Sequence, residues 1–299
     1  MIYRNHIILY CLLYMKSRKN VCGSCLQFKF NNTIKSSKKL KPQWLDKVDY
    51  VDKFITNYNN FNINYPDVYD QTINIFVGKI YANYKILYWG AKKNNSIKVN
   101  DAKSAYGSFK NSGVSKVDEY GFATIKFSTP QNYYTKIKNG SKNITFFKHI
   151  HYVLSNKSYD NWDNKIYTKL VHNNYSYDEF IYNLKNKKSI ILNVLPNDIY
   201  AKDHINDTYN LPYNRINKMD DKELKNWFME IIKLHYKDIE KLIKQDIIKL
   251  YEIPIICYCA NSKCNISLIA IETLMKKGYV NVSHYKNGML EYKYKQEKK

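Results

Sequence analysis

The stretch IPIICYCANSKCNISLIAIETLMKKG, residues 253–278, joins a short apolar run to a polar loop and then to a helical pattern. The run at 253–257 is too short for a helix, and its continuous apolar character is typical of a strand buried on both faces of a parallel sheet. From Ile266 onward, apolar residues recur with helical spacing, and Gly278 supplies a stop after two lysines. The pattern predicts a strand, a loop and a helix in that order.

Cys259 lies where the predicted strand ends and the polar loop begins. In open α/β sheets, ligands bind in the crevice at the carboxyl ends of the strands. The loop amides and the amino end of the following helix can also stabilise a thiolate relative to a thiol. We therefore expect Cys259 to be a nucleophile. The alternative is a small packed side chain at a strand end, because free cysteine is often buried.

Three blocks of sequence in the second half carry a resemblance to one family. Residues 189–212 read SIILNVLPNDIYAKDHINDTYNLP, residues 278–292 read GYVNVSHYKNGMLEY, and the stretch at 253–278 lies between them. In this order they resemble the first strand, the active-site segment and the closing segment of rhodanese domains, which are sulfurtransferases, over roughly the last 120 residues. The resemblance implies an α/β rhodanese-like domain with a parallel sheet at 175–299, working without a cofactor.

The resemblance also implies that Cys259 carries sulfane sulfur as a persulfide and that the loop binds a small anionic sulfur donor. Such a cysteine needs a pKa below the ordinary value of about 8.5. Lys263 could add positive charge, and Cys264 could attack an oxidised or persulfidated Cys259 to form a disulfide. A surface cysteine without a role is the equal alternative for Cys264. The predicted anion-binding loop consists of Ala260, Asn261, Ser262, Lys263, Cys264 and Asn265.

The cysteines are clustered at the two ends of the chain, at Cys11, Cys22, Cys25, Cys257, Cys259 and Cys264. This distribution is unlike a disulfide framework and predicts a reducing compartment such as the cytoplasm. Cys22 and Cys25 have the spacing of a redox motif, but no strand–helix pattern surrounds them. Cys257 is predicted to point to the same face as Cys259 and to serve in packing.

The chain is strongly basic, with a formal net charge of +22 from 48 Lys and Arg against 26 Asp and Glu. Such a charge ordinarily indicates nucleic acid or an acidic membrane surface. However, the only arginines are Arg4, Arg18 and Arg215, and nucleic-acid sites favour arginine. We therefore expect a solvated basic surface and no nucleic-acid partner. Whether the sulfur acceptor is a small thiol or a protein stays open.

The amino-terminal residues 1–43 are predicted to be a disordered or weakly anchored tail. Their apolar stretch covers about ten residues before Lys16, which is too few to span a membrane. The flanking positive charge mostly follows this stretch, whereas a signal peptide carries it in front. No membrane span is therefore expected.

Residues 44–171 carry β patterns. Apolar and polar residues alternate at 73–77 and again at 123–127, and a turn signal lies at 118–121. Strands at this spacing, without strong helical periods, predict a small all-β sandwich. The polar stretch 155–175 is predicted to connect the two domains.

Several short stretches of this region resemble intradiol dioxygenases, which have a prealbumin-like sandwich. They are LYWGAKK at 87–93, AYGSF at 105–109, VDEYGFATIKFSTPQNYY at 117–134 and KHIHYVL at 148–154. In that family, tyrosines and an H-x-H pair bind ferric iron. The resemblance therefore implies iron ligands at Tyr133, His149 and His151, with Tyr106 as a further candidate.

On a strand, residues two apart share a face, so His149 and His151 are predicted to project together. Imidazole suits iron, copper and zinc. The residues in front of the pair, Phe147 and Lys148, depart from the arginine and proline of the enzymes. We therefore favour the alternative of a solvent-facing histidine pair on a retained scaffold.

The function predicted from the sequence is a sulfurtransferase that uses Cys259. Two alternatives stay open. In the first, the rhodanese-like fold is a non-catalytic interaction module that presents its loop to a partner. In the second, the amino-terminal sandwich is an iron-dependent oxygenase.

Overall fold

A computed structural model of the protein describes residues 52–92, 102–136, 143–163 and 165–298. The tail predicted at 1–43, with Cys22 and Cys25, lies outside these residues. Within the described ranges, no helix combines the length and the apolar character needed to cross a membrane.

The described residues of the amino-terminal region form antiparallel strands and two short helices. The helices are α1 (Asp52–Asn57) and α2 (Ala102–Tyr106), and a 3₁₀ turn lies at Lys79–Tyr81. The strands are β1 (Gln71–Phe76), β2 (Lys85–Gly90), β3 (Ser112–Lys116), β4 (Phe122–Phe127), β5 (Tyr133–Lys136), β6 (Asn143–Phe146), β7 (His149–Leu154) and β8 (Tyr167–Leu170). They form a four-stranded sheet in the order β3–β2–β7–β8 and two pairs, β1–β4 and β5–β6.

The four-stranded sheet is buried on both faces. Ile86 and Tyr88 of β2 belong to a core shared with Ile75 of β1, so the β1–β4 pair packs on that face. Leu87 and Trp89 point the other way, into a core that includes residues of α2 and β5. The strands predicted for this region are thus present and form antiparallel sheets. An all-β sandwich over residues 44–171 stays a prediction, since two helices lie in this region.

The carboxyl-terminal region is an α/β domain with a parallel sheet, as predicted. Its strands are β9 (Asn173–Asn174), β10 (Ile190–Asn193), β11 (Tyr209–Asn210), β12 (Ile255–Tyr258) and β13 (Val282–Tyr285), in the order β11–β10–β12–β13–β9. Its helices are α3 (Tyr177–Lys185), α4 (Asn197–Lys202), α5 (Tyr213–Lys218), α6 (Asp221–His235), α7 (Lys237–Lys244), α8 (Ile266–Lys276) and α9 (Gly288–Glu297), with a 3₁₀ turn at Leu250–Glu252.

The central strand β12 is buried on both faces because helices cover both sides of the sheet. Ile255 and Cys257 point into the core that contains residues of α6 and α8. Ile256 and Tyr258 point into a separate core with Phe180 of α3. This two-sided burial explains the continuous apolar run in the sequence.

The polar stretch 155–175 was predicted to connect the two domains, and the structure shows that it also forms strands. It supplies β8 to the edge of the antiparallel sheet and β9 to the edge of the parallel sheet. Edge strands of two to four residues tolerate polar side chains, which is why the composition indicated a linker. Lys169 of β8 also reaches Glu272 of α8, with 2.5 Å between Nζ and Oε2, so an ion pair joins the two regions.

Candidate functional site

Cys259 follows the last residue of β12, at the carboxyl end of the central parallel strand. The first turn of α9 holds the backbone here, because the Met289 and Leu290 amides donate to the carbonyls of Cys259 and Ala260 at 3.0 and 2.9 Å. Gly288 permits this contact. Its φ is +59°, and a Cβ at this position would collide with the Cys259 carbonyl. Two elements distant in sequence thus fix the strand end that carries the thiol.

The Cys259 sulfur is surrounded by polar atoms although the residue is 0% exposed. The Cys264 carbonyl oxygen at 3.2 Å and the Asn261 carbonyl oxygen at 3.8 Å are both possible acceptors for its single thiol proton. The hydroxyl of Ser267, in the first turn of α8, lies 3.2 Å from the sulfur. The loop at 260–265 therefore covers the thiol and shields it from solvent.

The pKa of Cys259 is lowered to about 6. The largest cause is a hydrogen bond from the Cys264 side chain, and hydrogen bonds from the Ser267 side chain and from the backbone at Ser267 and Asn261 add to it. Together they outweigh burial, which acts in the opposite direction. The same contact with Cys259, together with burial, raises the pKa of Cys264. Cys264 therefore keeps its proton when Cys259 ionises.

Asn261 and the two residues that follow it form the outer part of the loop. Ser262 and Lys263 are on the exposed outer side. The Asn261 side chain accepts from the Lys263 amide at 2.9 Å, which folds the loop back on itself. The structure thus brings Cys264 and Asn261 to the thiol and leaves Lys263 at the surface.

Sequence reasoning did not identify two residues that contact this site, Ser267 and His284. The Ser267 hydroxyl also lies 2.8 Å from Nε2 of His284 on β13. Their exposed fractions are 0% and 2%. We call Cys259, Ser267 and His284 the thiol cluster. Only the strand register, which places His284 beside Cys257, brings the histidine here, and one sequence does not reveal that register.

His284 is a neutral imidazole near neutral pH. Burial lowers its pKa to about 3, and the neighbouring His172 and Lys286 add to this shift. The His172 ring packs edge-on against it, with ring centroids 5.7 Å apart. Nδ1 of His284 is buried and has no hydrogen-bond partner among the described residues.

The sequence model of the rhodanese-like domain family matches residues 176–295. Residues 176–295 are a rhodanese-like domain. No curated protein matches the sequence.

Solved structures similar to the rhodanese-like domain include two single-domain sulfurtransferases. The human one is 14% identical, and the alignment covers 42% of this chain and 98% of that chain with a TM-score of 0.30. The one from Saccharomyces cerevisiae is 17% identical, with coverages of 44% and 94% and a TM-score of 0.30. A rhodanese-related protein from Thermoplasma volcanium is 15% identical, with coverages of 42% and 93% and a TM-score of 0.26.

Outside the rhodanese-like domain, the structure brings together all four side chains that were predicted as iron ligands. Tyr106 Oη lies 3.2 Å from Tyr133 Oη and 3.2 Å from Nε2 of His149. The His149 and His151 ring centroids are 4.7 Å apart. We call these four residues the ring cluster. All are at least 96% buried, so the favoured alternative of a solvent-facing histidine pair is wrong. Helix α2 and strand β5 carry the two tyrosines that cover this face.

The ring cluster is a neutral set of potential ligands. Nδ1 of His149 lies 2.5 Å from the Phe147 carbonyl oxygen and donates to it, which leaves the Nε2 lone pair directed at Tyr106. Nδ1 of His151 lies 2.9 Å from the Thr168 hydroxyl. Burial lowers the pKa of His149 to about 4 and raises that of Tyr106 well above its ordinary value.

In the described part of the chain, no three His, Cys, Asp or Glu side chains lie together in a way that could hold a metal ion. Two of the four potential ligands in the ring cluster are tyrosines. Metal binding by all four residues would therefore require tyrosine phenolates as ligands.

Proposed function

We propose that the rhodanese-like domain is a sulfurtransferase in which Cys259 carries sulfane sulfur as a persulfide. One observation supports this most directly. A buried thiol at the carboxyl end of the central parallel strand has its pKa lowered to about 6, although burial alone would raise it. A thiolate is the attacking species in sulfur transfer, so a low pKa supplies the nucleophile at neutral pH.

In the proposed reaction, the Cys259 thiolate attacks the sulfane sulfur of an anionic donor. A sulfur–sulfur bond forms at Cys259, and the bond between that sulfur and the rest of the donor breaks, its electron pair leaving with the donor remainder. A thiol acceptor, as its thiolate, or another nucleophile then attacks the outer sulfur. Cys259 leaves as a thiolate, for which a low pKa is again favourable.

Donor access requires the loop at 260–265 to move, because Cys259 is fully buried. The carbonyl oxygens of Asn261 and Cys264 face the sulfur and would repel an anion. In the proposed open state, these carbonyls turn away and loop amides face the donor. The exposed Lys263 would add positive charge near the entrance.

The experiment that tests the proposal is an assay of the purified full chain with a panel of sulfane-sulfur donors. Cyanide and a small thiol serve as acceptors, and thiocyanate and sulfide are measured. We expect release of product with at least one donor. No release with any donor would contradict the proposal and leave a non-catalytic interaction module, which the full burial of Cys259 favours.

A second candidate function is iron binding by the ring cluster. We propose that Tyr106, Tyr133, His149 and His151 hold a ferric ion. Phenolates and imidazoles are donors that suit ferric iron, and Nδ1 bonds such as that of His149 orient a ring for ligation through Nε2. A bound ferric ion would supply Lewis-acid and one-electron redox chemistry. The tyrosines have to lose their protons to bind it, which burial opposes for Tyr106.

Titration of the purified protein with a buffered ferric chelate tests this candidate. We expect a visible tyrosinate-to-iron absorption that saturates with one ion per chain, and its loss in Tyr133→Phe and His149→Ala. Tyr152→Phe is the matched control, because Tyr152 is a buried tyrosine that points to the other face of β7. Wild-type protein that stays colourless and binds no iron would contradict the candidate.

A further inference from the structure

The Cys259 thiol has no direct contact with solvent, and a hydrogen-bonded path leads from it into the sheet. The Ser267 hydroxyl lies between the sulfur and a ring nitrogen, 3.2 Å from Sγ and 2.8 Å from Nε2 of His284. The three side chains come from the end of β12, the start of α8 and the middle of β13. A proton can therefore move along the thiol cluster without entering water.

The far end of this path is the second ring nitrogen of His284. Nδ1 of His284 is buried and has no hydrogen-bond partner among the described residues. Nearly all buried polar side-chain atoms are paired, so an unpaired one needs an explanation, and a role in proton transfer is one. The neighbouring titratable groups are His172, which packs edge-on against the ring, and Lys286, which acts on it through its charge.

We propose that Ser267 and His284 are positioning residues that form a proton relay for Cys259. The proposal deepens the sulfurtransferase function and rests on it, since the buried thiol has to lose its proton before it can attack a donor. The relay supplies a route that the closed loop otherwise denies.

Each proton of the relay can be followed from donor to acceptor. With the thiol protonated, Cys259 donates to Ser267, Ser267 donates to Nε2 of His284, and Nδ1 carries the ring proton. On ionisation, the thiol proton moves to Ser267, the serine proton moves to Nε2, and the Nδ1 proton passes to a water molecule, which the relay requires beside this buried atom. Ser267 then donates to the thiolate.

The imidazole of His284 is neutral before and after this shift, and only its tautomer changes. The relay therefore places no positive charge on a ring that is 2% exposed, where an imidazolium would be costly. This agrees with the low pKa of His284, which excludes a stable imidazolium at the pH where Cys259 ionises.

The direct test follows the tautomer of His284 by nitrogen-15 NMR of the full chain between pH 4.5 and pH 8. We expect the ring proton to move from Nδ1 to Nε2 with the same midpoint as the ionisation of Cys259. A tautomer that stays constant across this range would overturn the proposal. The measurement needs neither a variant nor a sulfur donor.

A mutant cycle provides a second test through the pH profile of Cys259 alkylation, with the labelled peptide identified by mass spectrometry. We expect Ser267→Ala to raise the midpoint by about one pH unit, which is a tenfold loss of thiolate well below the midpoint. His284→Gln should raise it less, and the double variant should match Ser267→Ala, since His284 acts only through Ser267. Additive shifts, or no shift in either variant, would contradict the relay.

Two controls separate the relay from loss of structure. Ser267→Thr retains a hydroxyl and should keep the wild-type midpoint. Thr273→Val removes another buried hydroxyl of α8, one that donates to the Ile269 carbonyl, and should leave the midpoint unchanged. Alkylation requires no sulfur transfer. Failure of the sulfurtransferase proposal would therefore appear in the donor assay, and failure of the relay would appear in the alkylation profiles.

Discussion

The thiol cluster and the ring cluster are both buried, yet a charged form is favoured in only one of them. In the thiol cluster, hydrogen bonds outweigh burial and lower the pKa of Cys259 to about 6. In the ring cluster, burial dominates, raising the pKa of Tyr106 and lowering that of His149 to about 4. Burial with several hydrogen-bond donors thus yields an anion, whereas burial alone yields a neutral set of ligands.

The difference follows from where each cluster lies in the fold. The thiol lies at the carboxyl end of β12, where the chain passes through a loop into α8 and backbone amides are available. The ring cluster lies between the antiparallel sheet and α2, where its side chains mainly contact one another. The first arrangement suits a nucleophile, and the second suits the capture of a cation.

The largest expected effect distinguishes Cys257 on β12 from Cys259, which directly follows that strand. We expect Cys259→Ser to lower the rate of sulfur transfer at least about a thousandfold, because the nucleophile is lost. Cys257→Ala should retain transfer, since Cys257 is packed in the core and burial raises its pKa. Its expected cost is about 1–3 kcal/mol in the free energy of unfolding. Full activity in Cys259→Ser would contradict the assignment.

The next effect tests how α9 holds the thiol in place. Gly288→Ala is expected to reduce the free energy of unfolding by more than about 4 kcal/mol, because the new Cβ collides with the Cys259 carbonyl. Gly107→Ala is the matched control, with a φ of +55° but only Lys92 Cδ at 3.8 Å from the new Cβ, and should cost about 1–2 kcal/mol. Denaturant unfolding measures both. Equal losses would show that the contact is unimportant.

Acid should destabilise both clusters through their histidines. Folding lowers the pKa of His284 to about 3 and of His149 to about 4, so below pH 6.5 the unfolded chain takes up protons that the folded one does not. Stability therefore falls as the pH falls from 6.5 towards 4, by about 2 kcal/mol per histidine down to pH 5.

The measurement for the acid prediction is urea unfolding between pH 7 and pH 5. His284→Gln and His149→Gln should each reduce the pH dependence of the free energy of unfolding by the contribution of one histidine. His235→Gln, at the exposed end of α6, controls for the removal of a histidine. A pH dependence that is unchanged in both cluster variants would contradict the burial of these rings.

The smallest effect concerns the ion pair that joins the two regions. Lys169 and Glu272 are 2.5 Å apart with side chains only 12% and 20% exposed, so Glu272→Gln should cost about 1–2 kcal/mol. The control is Asp238→Asn, whose partner Lys188 lies 3.9 Å away in an exposed pair, and no measurable change is expected. An equal loss of unfolding free energy in both variants would show that the pair between the two regions stabilises the protein no more than an exposed pair does.

The sequence was informative where the fold depends on local patterns. The apolar run before Cys259 predicted a strand covered on both faces, and the spacing after Ile266 predicted the helix α8, because a single element's burial determines each pattern. Cys257 was predicted to serve in packing on the same face as Cys259, and both residues lie in the same core.

What the sequence did not predict depends on contacts between distant elements. Ser267 and His284 meet only because β13 pairs with β12 in one register. His149 and His151 resemble a surface pair in sequence, and they are buried because Tyr106 and Tyr133 arrive from other elements. Such covering contacts leave no periodic pattern in the chain.

The most direct test of the central claim is mass spectrometry of the peptide that contains Cys259 after the protein is exposed to a sulfane-sulfur donor. The account predicts a gain of one sulfur atom on Cys259, removed when a thiol acceptor is added. An unmodified Cys259, or a sulfur atom found only on Cys264, would contradict it.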